Sequence, residues 1–261
     1  MATKLNPAAI WALLRELKSV AGEDGALLVT GALASSLEKD LGRDSRPGAV
    51  RSEGRIEDAG VLVRVLAGEP TEEDEAALKA ANRAGVPVLA VQTSSEQFDV
   101  PYVLATDVIQ CLPGQSFPVE EIARAIAARL GERATSLAAR VPVLRDPVCD
   151  ALIESFSRKN GILGAAVFIP GADFPVLTLN QIRLVLRLAS AHGAEVDQQR
   201  LPEIVGTVAA GFGLRSVARQ LLAAVPVAGW ALKGGIAYAG TRAVGEAARR
   251  YFAAQGDARS A

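Results

Sequence analysis

Apolar positions change their period along this chain, and the changes mark out its elements. Near the start, Ile10, Leu13, Leu14, Leu17 and Val20 recur at three- and four-residue spacing behind Asn6-Pro7, a capping residue followed by a proline suited to the first helical position. This spacing predicts an amphipathic helix ended by Gly22 and Gly25. Short β-rich runs then alternate with helical ones. "ALLVT" (26–30), "GVLVRVLA" (60–67), "VPVLAVQT" (86–93) and "VPYVLAT" (100–106) read as strands, and "PGAVR" (47–51) adds a short edge strand. Between them, Leu33 to Leu41 reads as a helix ended by Gly42. Glu69-Pro70-Thr71 starts an acidic helix to about Ala84, with Gly85 as its C-cap, and Phe117-Pro118 opens a helix through Leu130, closed by Gly131. Strands apolar on both faces, alternating with helices, predict a parallel sheet covered on both sides. Residues 1–132 are therefore expected to form an N-terminal helix plus a Rossmann-like α/β domain.

After Glu132 the period becomes helical throughout. Asp146-Pro147 reads as a helix start, with the helix running to about Lys159 and stopping at Asn160-Gly161. "ILGAAVFIPG" is apolar and ends in a Pro-Gly break. Thr178 can cap a helix through "LNQIRLVLRLASA", with Gly193 after it. Pro202 starts a Gly- and Ala-rich helical run to Val225, Pro226 breaks it, and a final helix from about Ala228 reaches Phe252. The expectation is an all-α domain over 133–252 and a disordered tail over 253–261.

Composition narrows the chemistry. The 261 residues are 50% hydrophobic but 5% aromatic, so the core packs through small side chains and close backbones. The net charge of −1 gives no basic field for nucleic acid. The charge is uneven: from Arg200 onward eight basic residues face three acidic ones, and Glu69, Glu72, Glu73, Asp74 and Glu75 form a dense acidic patch. The two cysteines, Cys111 and Cys149, and the one histidine, His192, support neither a disulfide framework nor a metal site. A reducing cytosol fits that usage, and the charged N-terminal helix is not a signal-peptide pattern.

The stretch "ALLVTGALASSLEKD" (26–40) puts a strand, a Thr-Gly and a helix where many α/β proteins hold a phosphate. A phosphate-binding P-loop needs a second glycine, a lysine for the β/γ oxygens and a hydroxyl for magnesium. Counting from Gly31, those positions hold Ser36, Leu37 and Glu38. All three are wrong, and Glu38 adds negative charge. Ser35 and Ser36 read as ordinary early-helix residues. No cofactor is expected.

The layout of residues 25–131 resembles a small GTPase-like G domain in strand–helix order. "AGVLVRVLAGEPTEEDEAALKAANRAGVPVLAVQT" looks like the fourth strand, following helix and fifth strand of such a domain. Gln92-Thr93-Ser94-Ser95 stands where the guanine-reading tetrad would be, without its carboxylate; Asp58-Ala-Gly only echoes Asp-x-x-Gly, and "VLATD" (103–107) takes the place of the Ser-Ala motif. In the second half, Val225-Pro226-Val227-Ala228-Gly229, Thr241-Arg-Ala-Val-Gly245 and Tyr251-Phe252, with Gln181 and Gly193 upstream, resemble a bacterial domain-of-unknown-function family that accompanies GTPase domains and occurs in YcjF-like inner-membrane proteins. The two resemblances together imply a pseudo-GTPase, the degenerate shell without the nucleotide chemistry.

The last helices offer surface chemistry. Ala231, Gly235, Ala239, Ala243 and Ala247 recur every four residues, a ridge on which another helix can pack closely. Arg215, Arg219, Lys233 and Arg242 interrupt these helices, and each costs about 2.5–3.5 kcal/mol at a membrane centre, so spanning loses to packing in water. Arg215, Arg219, Lys233, Arg242, Arg249 and Arg250 read first as a solvated face that also suits the helix C-terminal dipole, and as the contact for an acidic protein partner or anionic lipid if the surface is functional. His192, at a helix end, suits the dipole and has no nucleophile motif beside it. Asp58 and Asp107 are expected near the C-terminal ends of strands, and Trp11 and Trp230 in apolar helical patterns. The reading is a non-catalytic, cytoplasmic binding or scaffold protein that docks to a partner, to itself or to the inner face of the membrane. The alternative is a protein that binds a nucleotide or anionic metabolite in the crevice at the strand ends.

Overall fold

The β-rich runs become a single five-stranded sheet. The computed structural model describes residues 25–166, 174–194 and 230–260; the helices expected over 6–20 and 202–225, with Trp11, Arg215 and Arg219, lie outside the described residues. The strands are β1 (Ala26–Gly31), β2 (Val50–Arg51), β3 (Ala59–Leu66), β4 (Val88–Gln92) and β5 (Val108–Gln110), in the order β2-β1-β3-β4-β5 and parallel throughout. The chain steps from β1 to β2 on one side and returns as β3 on the other, so the sheet is doubly wound with its reversal between β1 and β3.

Helices cover the sheet because its strands bury both faces. Leu28, Leu62, Leu66, Val88 and Ala90 pack on one side against Leu78 and Ala81 of α2 (Glu72–Ala84). Leu27, Val29, Val63 and Val65, of opposite parity, are also fully buried. The helix α1 (Ala34–Leu41) buries Leu37 and Leu41, and α3 (Val119–Leu130) buries Ile122, Ala123, Ile126, Ala127 and Leu130. A capping box between Thr71 and Asp74 starts α2, and Gly85 ends it in the left-handed conformation.

One strand lies later than expected. Residues 100–106 are irregular, and β5 begins at Val108. Pro101 brings no N–H for a ladder, and Tyr102, at φ 66°, leaves the extended region.

The described residues fall into two compact units divided between Val148 and Cys149, later than the expected break after 132. The 3-10 turn Gly131–Arg133 leads into α4 (Ala134–Arg140), which is tied to the sheet unit. The Arg46 amide donates to the Arg140 carbonyl at 2.8 Å, and Arg140 Nη2 donates to the Gly25 carbonyl at 2.9 Å.

The second unit is helical as expected, with three corrections. α5 (Arg145–Ala166) runs through the expected stop at Asn160-Gly161. Asn160 is fully buried and donates to Thr241 Oγ1 at 2.8 Å, so the turn signal is spent on an interhelical bond. α6 (Phe174–Ala191) starts before Thr178, with Pro175 in its first turn. α7 (Trp230–Ser260) continues through the tail expected to be disordered. Ala253, Ala254 and Ala258 are strong helix formers, and Gln255 Nε2 donates to the Tyr251 hydroxyl one turn back at 2.7 Å.

Candidate functional site

Doubly wound sheets hold ligands beyond the strand C-termini at the reversal point, which here is the gap between the ends of β1 and β3. Two walls narrow that gap. Gly31, at φ 92°, brings the β1 end so near β3 that a Cβ there would lie 2.2 Å from the Val65 carbonyl oxygen. The next amide, Ala32, donates to that same carbonyl at 2.9 Å. Leu33 then enters α1 in the left-handed conformation, φ 55°, its side chain 59% exposed and giving α1 no capping bond.

The second wall is an ion pair. Arg64, in an otherwise apolar strand, is only 6% exposed, and a buried guanidinium needs partners. Its Nε donates to Asp74 Oδ1 at 2.7 Å, and its Nη2 donates to Glu73 Oε1 at 3.3 Å. Asp74 Oδ2 accepts from the Thr71 amide at 2.9 Å and the Thr71 hydroxyl at 2.7 Å. Burial raises the Asp74 carboxyl, but the bonds from Thr71 and Arg64 outweigh it and hold the group below its ordinary value. The remaining cleft, about 410 Å³, is lined by Gly31, Ala32, Gly68 and three carboxylates, Glu69, Glu73 and Asp74, against the single guanidinium of Arg64. Its charge is negative, and its one cation is already neutralised.

Further along the strand ends, Gln92 is fully buried and clasps the loop beyond it, donating to the Phe98 carbonyl at 2.6 Å and accepting from the Phe98 amide at 3.3 Å. Cys111 is buried, with its sulfur 3.7–3.9 Å from the carbonyls of Leu112, Gln115 and Ser116; burial raises its thiol pKa. A thiol so placed is a structural one.

Asp58 and Asp107 do not reach the strand C-termini. Each immediately precedes its strand, β3 and β5 respectively, and so stands at the opposite end of the sheet. Asp58 lies 4.0 Å from Arg55, and Asp107 lies 3.4 Å from Arg129. For Asp107 the displacement follows from β5 starting at Val108 rather than at 100, whereas Asp58 precedes β3, which lies where the sequence placed it.

Of the four described cations expected to meet a partner in the helical unit, two, Arg242 and Arg249, are paired within the chain. Arg242 Nη1 donates to Glu154 Oε2 at 3.1 Å, and Arg249 bonds Asp150 at 2.8 Å and Glu246 at 2.9 Å. Arg250 is exposed and Lys233 half-buried. Glu154 is held below the ordinary carboxylate value, first by the Tyr238 hydroxyl and then by Arg158. His192 Nε2 lies 3.7 Å from the sulfur of fully buried Cys149, with the Phe252 ring 6.3 Å away. Among the described residues no group of three His, Cys, Asp or Glu could hold a metal, and no helix is long and apolar enough to cross a membrane.

The sequence reading did not pair Arg64 with Asp74, which stood there only within the acidic patch. A lone arginine inside "VLVRVL" signals a buried cation, but its acid is supplied by the next helix. No family model, curated protein or solved structure matches the chain.

Proposed function

We propose that the chain is a non-catalytic binding or scaffold protein, a pseudo-GTPase-like α/β unit joined to a helical domain, working in the cytoplasm by docking. The observation that carries this reading is the crevice between β1 and β3, where Arg64 is locked by Asp74 and Glu73 and acidic side chains outnumber the one cation. A polyphosphate there meets net repulsion and no uncommitted donor side chain. Arg242 and Arg249 already have carboxylate partners, so at these two residues an anionic membrane and an acidic protein are disfavoured alike.

Titration calorimetry with magnesium GTP and ATP tests this. The expected result is no heat of binding up to ligand concentrations of about 1 mM, and a Kd in the micromolar range overturns the proposal.

The second reading, an anionic-metabolite site in the same crevice, rests on the cleft's volume alone, since Arg64 in its wall is already paired. Reproducible thermal stabilisation by one member of a panel of small carboxylates and phosphates would support it.

A further inference from the structure

Donors from two elements converge on one point at the strand ends, and the chain itself supplies the anion that sits there. Arg64 comes from β3, and the amide and hydroxyl of Thr71 come from the cap of α2. Asp74 Oδ1 accepts from Arg64 Nε at 2.7 Å, with Nη2 also 2.7 Å away. Asp74 Oδ2 accepts from the Thr71 amide at 2.9 Å and the Thr71 hydroxyl at 2.7 Å. Each oxygen is held as that of a bound carboxylate is held, one by a guanidinium and the other by the donors of a helix start. The neighbouring acids are not gripped in this way. Glu73 is 87% exposed and reaches Arg64 only through Nη2 at 3.3 Å, and Glu69 is exposed.

The donors face open space. Arg64, Thr71 and Asp74 all line the cleft of about 410 Å³, so withdrawing the Asp74 carboxylate would leave a hole that a free ligand can enter and not a sealed void. The end of β1 keeps the guanidinium uncrowded: a Cβ on Gly31 would lie 3.1 Å from Arg64 Nε. Ala32 and Gly68 add little bulk to the same wall.

We infer that the crevice contains a carboxylate-binding hole whose occupant is the chain's own Asp74, a tethered competitor that keeps free carboxylates out. The donors select the class. The planar fork of Arg64 fits a carboxylate edge, and Thr71 takes the second oxygen. A competitor fixed three residues from Thr71 acts at an effective concentration that no free ligand reaches, so the intact chain inhibits itself at this point. The inference deepens the non-catalytic reading and rests on the same closed crevice, naming the class of anion that the crevice fits and the group that excludes it.

The test removes the internal carboxylate and offers a free one. Glu73→Gln is carried in every chain so that the exposed acid cannot fill the hole, and Asp74→Ala is added to empty it. Urea midpoints of the full chain are measured in sodium formate and in sodium chloride at matched ionic strength, up to about 0.2 M. The emptied chain is expected to be more stable in formate, its midpoint climbing with formate concentration, and the gain is expected to vanish when Arg64→Met is added. The chain that keeps Asp74 is expected to show one midpoint in both salts, as is Asp74→Asn, whose amide fills the hole. Should the emptied chain be unfolded in chloride, circular dichroism is expected to show it folded in formate. An emptied chain that responds to formate no more than the chain keeping Asp74, or that is unfolded in both salts, overturns the inference. A formate gain that persists without Arg64 overturns it as well. The probe acts only on chains that lack the Asp74 carboxylate, so a failure here leaves the nucleotide titration of the wild type standing, and the two readings fall separately.

Discussion

Arg64 shows how one residue settles the character of a site. A guanidinium placed in a buried strand has two fates: it waits for an anionic ligand or it is neutralised from within. Here Asp74 reaches it at 2.7 Å while being held itself by Thr71 on its other oxygen, so the pair is fully bonded without a ligand. Removing one member of a buried pair strands the other, at a cost of about 3–5 kcal/mol. Asp74→Ala should therefore destabilise the chain by about 3 kcal/mol, whereas Glu73→Ala, whose side chain is 87% exposed, should change stability by less than about 1 kcal/mol. Urea denaturation of both variants checks the contrast, and equal losses would contradict the geometry. The pH dependence has a definite sign. Because the folded-state value of Asp74 is depressed, its stabilisation is complete above the unfolded value near pH 4 and is lost as pH falls through the lower folded value. Asp74→Asn should flatten that acid limb of the stability curve.

At the scale of the element, the helical unit depends on which small residues face inward. Of the every-fourth-residue ridge expected on the last helix, Gly235, Ala239 and Ala243 are exposed and Ala247 is buried. The packed stripe runs through Gly234, Thr241, Val244, Gly245, Ala247, Ala248 and Phe252. A Cβ on Gly164 would lie 2.8 Å from the Ala237 Cβ, and one on Gly245 would lie 2.7 Å from Ile153. Gly164→Val should overpack the α5–α7 contact and cost about 1–3 kcal/mol, while Ala243→Leu on the open face should stay within about 0.5 kcal/mol. Thermal denaturation of the two variants distinguishes the stripes, and the reverse ranking would refute the assignment. This slip marks the limit of what the sequence shows. Strands β1, β3 and β4 were legible because two-sided burial leaves an unbroken apolar run, and α2 because its capping box and terminal glycine are local signals. The sequence misplaced β5, read a stop at Asn160-Gly161 and left the packed stripe of the last helix unread. Each of those is decided by tertiary partners (Gln92, Thr241, Ala237) that no local pattern contains. The candidate site divides the same way: the missing phosphate readers were visible along the chain, but the ion pair filling their place joins residues ten apart across a strand and a helix.

Taken as a whole, the chain has little field to offer an anionic surface. Its charges sum to −1, with the basic excess confined to the stretch from Arg200 onward and an acidic excess of six over the rest. Juxtamembrane basic residues contribute about 1 kcal/mol each only when they are uncommitted and near the lipid. Arg242 shares Glu154 and Arg249 shares Asp150 and Glu246, so moving either to a headgroup breaks a bond the fold already makes. Arg250, exposed on the same helix, adds too little to hold a chain of this size against an overall negative charge. Co-sedimentation with vesicles containing phosphatidylserine, at about 0.1 M salt where the screening length is about 10 Å, should leave most of the protein in the supernatant. The bound fraction should change little when Arg242, Arg249 and Arg250 are replaced together by glutamine. Strong sedimentation that falls with added salt and disappears in that triple variant would show that the helix releases its internal pairs for lipid, and would move the docking surface from a protein partner to the membrane.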